Sequence, residues 1–125
     1  MHKLVVLLTA VVFLLYGLAF LVLPTYVLQL VTEGSVSSSS GIIDIRATYG
    51  GMSVGVGVIL LLLTTQGVET LRVGVWSVFI LMSGMAVGRV IGIVLDGEPN
   101  IVMYIYLGLE VAVSTFALFL LRTKI

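Results

Sequence analysis

Arg89 and Glu110 are the two residues whose chemistry this sequence has to account for. Each stands inside a long apolar segment, and Glu110 lies near the middle of its own. A charge at that depth in a bilayer costs several kcal/mol or more unless it is neutralised or used. Both side chains are therefore expected to turn into the protein. Arg89 is expected to pair with Glu110 or Asp96, and Arg46 with Asp44 or Glu110, while Tyr49 and Tyr106 add hydroxyls to the same network. The set Arg46, Tyr49, Arg89, Asp96, Tyr106 and Glu110 suits a grip on a carboxylate, a phosphate or a quinone-type carbonyl. Glu110 would then offset the arginine charge or exchange a proton. The same residues would also serve as a purely structural network that satisfies itself and fixes helix register.

Other chemistry is thinly represented. There is no cysteine, and the one histidine, His2, stands near the N-terminus and reads as a solvated end. No nucleophile elbow, phosphate loop or metal-ligand spacing is present. Asp96 and Glu98 lie two apart in a turn, where acids are usually solvated. No catalytic residue, metal or cofactor is expected. Net charge is zero with no basic patch, which excludes nucleic acid as a partner.

The elements that must position these residues are membrane helices. Of 125 residues, 60% are apolar and 10% charged, against roughly 25% charged in soluble domains. Apolar stretches at about residues 4–23, 42–65, 70–95 and 101–121 each approach or exceed the ~20 residues that cross a bilayer. The fold class is all-α: an integral membrane four-helix bundle, up-down and antiparallel, in a single domain over residues 1–125. Gly17-Leu18-Ala19 loosely fits a cleavage site, but apolar sequence continues through Leu23, so the first span reads as retained. In the following connection Tyr26 to Val31 reads as a short interfacial helix and Ser37 to Ser40 as a mobile loop. Turns fall at 66–69 and 96–100, and Arg72 and Trp76 read as interfacial anchors.

Glycine spacing predicts where helices meet. Gly84, Gly88 and Gly92 recur every fourth residue beside Arg89, and Gly51 and Gly55 repeat the interval, a pattern that admits a close neighbour. Arg46, Gly50, Ser53 and Gly57 share a second small, polar face. Met103, Tyr106, Glu110 and Ser114 share a face of the last span.

Charge sets the orientation. Lys3, Arg72, Arg122 and Lys124 fall on one side of an alternating bundle, which marks that side and both termini as cytoplasmic. Arg46 then lies about 6 Å and Arg89 about 10 Å below the outer boundary, with Glu110 about 16 Å from the Pro99 end.

Asp44-Ile45-Arg46-Ala47-Thr48-Tyr49-Gly50-Gly51, then Gly88-Arg89, then Asp96-Gly97-Glu98-Pro99, with a glutamate in the last span, resembles a family of small bacterial four-span membrane proteins. That family is known only as a domain of unknown function. The resemblance covers nearly the whole chain. It implies a four-helix membrane fold and a shared polar set of Arg46, Tyr49, Arg89, Asp96 and Glu110, and it implies no activity. The function expected is binding of an amphiphilic or lipid-like small molecule in an outward-facing polar pocket of a bacterial inner-membrane protein surrounded by membrane lipids. The alternative is an accessory or assembly subunit of a larger membrane complex, or a homo-oligomer.

Overall fold

A computed structural model describes residues 1–124, and every regular element among them is a helix. Helix α1 (His2–Val22) is followed directly by α2 (Pro24–Thr32). The joint falls at Leu23 because Pro24 supplies no N–H to continue α1 but fits the first turn of a new helix. Helix α2 closes on Glu33 in the left-handed conformation, φ 59°. It is the short helix expected between Tyr26 and Val31.

The serine run behaves differently from a mobile loop. Ser38 caps helix α3 (Ser39–Ile45), its Oγ accepting the Gly41 N–H at 3.1 Å, and Ser39 and Ser40 form the first turn. Serine is favoured there because its oxygen satisfies an N–H that the helix cannot. From α3 the chain passes through one π-helical stretch, Arg46–Gly51, into α4 (Met52–Leu63). The three pieces form one continuous apolar span, Ser39–Leu63.

Gly67 at φ 111° turns the chain into α5 (Val68–Asp96), and Gly97 at φ 103° ends that helix. Side chains rarely adopt either conformation. Asn100 then caps α6 (Ile101–Leu121), accepting the Met103 N–H at 3.2 Å. Its amide also donates to the Val31 carbonyl at 3.0 Å, tying α2 to the α5–α6 turn. The four long helices are each apolar enough to cross a membrane, and their bounds lie within a few residues of those expected.

Helix α1 packs against α4, and α5 packs against α6; α1 and α5 then meet across the short diagonal. The tightest core, with Val6, Leu60, Val75, Val78, Ala117 and Leu120 fully buried, sits in the half of the bundle that holds the termini. His2 belongs to this half rather than to solvent. Its Nε2 donates to the Leu120 carbonyl at 2.9 Å and lies 3.2 Å from Thr123 Oγ1. That carbonyl, in the last turn of α6, also accepts the Thr123 N–H at 3.0 Å and the Thr123 hydroxyl at 2.9 Å.

Close approach is made by glycines, but not mainly those with the cleanest spacing. A Cβ on Gly17 would lie 2.7 Å from the Val54 nitrogen and 2.8 Å from the Gly50 oxygen; one on Gly57 would lie 2.9 Å from the Ala10 oxygen. Backbone therefore meets backbone along α1 and α4. The Gly50, Ser53 and Gly57 face is buried as expected. Gly55, Gly84 and Gly88, by contrast, have nothing within 4 Å, and Gly51 and Gly92 meet only atoms of their own helix. These positions make no helix contact within the chain. On α5 the face that packs carries Val75, Val78, Met82 and Ala86, and the glycine stripe falls on another side.

Candidate functional site: a polar cluster away from the termini

Away from the termini the interior changes character. Four elements contribute: α1 with Tyr16 and Phe20, the π-helical stretch with Arg46 and Tyr49, α5 with Arg89, and α6 with Met103, Tyr106 and Glu110. The α6 residues recur at helical spacing and so project on one face toward α5.

Arg89 and Glu110 form the central pair. The Arg89 Nε donates to both Glu110 oxygens, at 3.0 and 3.2 Å, and Nη2 donates to Oε1 at 2.6 Å. The Glu110 side chain is 5% exposed and that of Arg89 17%. The carboxylate is thus nearly sealed, whereas part of the guanidinium faces outward. Below the pair Ser83 and Ser114 hydroxyls meet at 2.6 Å, a second polar link between the same two helices.

The remaining edge of the guanidinium is poorly served. Arg89 Nη1 donates to the Met103 sulfur at 3.1 Å, and a thioether is a weak acceptor. The Tyr106 ring lies 5.2 Å from the guanidinium carbon, so this tyrosine offers its π face to the cation instead of the hydroxyl expected. Tyr16 lies on α1 four residues before Phe20, its ring packed on that of Phe20.

An aromatic ladder crosses from α1 to the π-helical stretch. Tyr16 and Phe20 centroids are 4.8 Å apart, and Phe20 and Tyr49 stack at 5.3 Å and 27°. Phe20 is buried, while Tyr49 remains 47% exposed.

The expected partnership of Arg46 does not form, and of the two alternatives for Arg89 only Glu110 is taken. Arg46 Nη1 donates to the carbonyls of Leu21 and Val22, the latter at 3.4 Å, and not to Asp44 or Glu110. Those carbonyls end α1, where unsatisfied oxygens and the negative end of the helix dipole attract a cation. Asp96 is exposed at the last position of α5 and makes no bond to Arg89. Seven residues of helix place it about 10 Å further along the axis. Of the expected set, then, Arg89, Tyr106 and Glu110 come together, Tyr49 stacks on Phe20, and Arg46 and Asp96 are engaged or placed elsewhere.

Tyr16, Met103 and Ser83 complete the arrangement and were not among the expected site residues. Tyr16 was legible as a hydroxyl-bearing ring in an otherwise apolar run, four residues before Phe20. Among the described residues no group of His, Asp and Glu could hold a metal ion, and no buried side-chain nitrogen or oxygen lacks a partner. Two shallow surface grooves lie away from the cluster, one between α4 and α5 beside Leu60 and Ser77, the other on α2 beside Tyr26 and Gln29.

A family model described as a domain of unknown function (DUF4345) matches residues 1–121. No curated protein and no solved structure matches the chain.

Proposed function

The chain belongs to the family of that domain of unknown function, DUF4345, and from that premise we propose that it binds the polar head of an amphiphilic, lipid-like molecule in the outer half of its bundle. One observation carries the reading: the Nη1 edge of Arg89 has a sulfur for an acceptor while the rest of the guanidinium is held by Glu110. An oxygen arriving at that edge would make a stronger bond than the thioether does. Approach from the lipid is supported by the sparse contact between α4 and α5 and by the open surroundings of Gly55, Gly84 and Gly88. Met85, on α5 one turn before Arg89, is 41% exposed. We place the protein in a bacterial inner membrane with both termini cytoplasmic, because Lys3, Arg72, Arg122 and Lys124 gather at the terminal end.

The test is native mass spectrometry of the gently purified chain. A bound molecule should accompany the parent and be lost from the double variant Arg89→Gln/Glu110→Gln, which removes both charges together. A parent that carries no small molecule under conditions that preserve membrane complexes would sink the proposal.

The second reading is an accessory subunit of a larger membrane complex, or a homo-oligomer with a structural charge network. It is favoured by the complete pairing of Glu110 and by the engagement of Arg46 with α1. The same experiment separates the two, since a subunit brings stoichiometric protein chains in place of a small molecule.

A further inference from the structure

Resting on the amphiphile reading above, we infer that the head taken at Arg89 is uncharged and carries a carbonyl-type oxygen on a flat ring, not a carboxylate or phosphate. Charge balance is the first ground. Arg89 is already neutralised by a carboxylate bonded through both Nε and Nη2. The other cation of the outer half, Arg46, is occupied with the end of α1. An arriving anion would therefore find no net positive charge and would stand close to Glu110. Repulsion from Glu110 would offset its attraction to the guanidinium, and the anion would also lose its hydration. An uncharged oxygen incurs neither cost.

Donor geometry is the second ground. What Nη1 lacks is an oxygen acceptor, and a carbonyl oxygen supplies one without bringing a charge or a competing donor. Shape is the third. Tyr49 is backed by buried Phe20 on one side and half-exposed on the other, which leaves an aromatic face open in the same half of the bundle. A ring bearing the carbonyl can lie on such a face, where offset stacking adds to the area buried.

The test uses the full chain in phosphatidylcholine nanodiscs and two probes with the same tail, a decyl-substituted benzoquinone and decyl phosphate. Dissociation constants are measured by titration calorimetry. The quinone should bind the parent at least about tenfold more tightly than the phosphate, a difference of ~1.4 kcal/mol. Arg89→Gln/Glu110→Gln should weaken the quinone about tenfold. Should that variant fail to fold, Tyr49→Leu decides, because it should weaken the quinone several-fold and leave the phosphate unchanged. Decyl phosphate binding as tightly as the quinone would overturn the inference and leave the amphiphile reading standing. If neither probe binds and the purified chain carries no native molecule, both fall.

Discussion

Helices α1 and α4 and helices α5 and α6 make two antiparallel pairs of similar extent, joined by opposite means. The first pair closes on small residues. Gly17, Gly50 and Gly57 bring main chain onto main chain, and a Cβ at Gly17 would meet backbone nitrogen and oxygen below 3 Å. The second pair is fastened by side chains, with Arg89 bonded to Glu110 and Ser83 to Ser114. In lipid the hydrophobic effect between helices vanishes, so association must come from close packing or from polar contact. This chain uses one on each side. Glycine contacts leave no space between the helices, whereas the side-chain clasp leaves one guanidinium edge on a weak thioether acceptor.

The largest effect that would break this contrast is at Gly17. Gly17→Leu has to displace main-chain atoms of Gly50 and Val54, so we expect a cost above the ~3 kcal/mol typical of overpacking and loss of the monodisperse peak on size exclusion. Arg89→Leu comes next. Leaving Glu110 buried without its partner should cost about 3–5 kcal/mol, with most of that recovered in Arg89→Leu/Glu110→Leu, as read by thermal unfolding in detergent. A double variant no better than the single would mean that the clasp is more than a mutual neutralisation. Ser83→Ala should cost only about 0.6 kcal/mol, the usual worth of a hydroxyl contact between membrane helices. Smallest of all is Gly88→Ala, which has open space around it and should stay within ~0.5 kcal/mol of the parent. A large loss there would show that another helix covers the stripe in the membrane.

How much of this was legible varies with the kind of signal. The four spans follow from length and apolarity alone, because a bilayer imposes a minimum stretch and forbids unpaired backbone. Glu110 was legible as one of two partners for Arg89, since a cation inside an apolar span needs an anion within side-chain reach. Glycine periodicity at Gly84, Gly88 and Gly92 did not mark a contact within the chain, because spacing fixes that residues share a side, never which side is turned inward. Arg46 was misassigned because its acceptors are main-chain oxygens, which every helix end has and no residue type announces. The serine run failed for the opposite reason: composition suggested disorder, while one hydroxyl in the right place begins a helix.

The π-helical stretch between Ile45 and Met52 has one further consequence. A wide turn of this kind accommodates a residue more than an α turn does, so winding it tight would swing everything before it by about 100° around the axis. Arg46 would leave the end of α1, and the open ring of Tyr49 would rotate out of its stack. The wide turn thus fixes the angle at which this span meets α1, setting Arg46 on the end of that helix and the Tyr49 ring against Phe20.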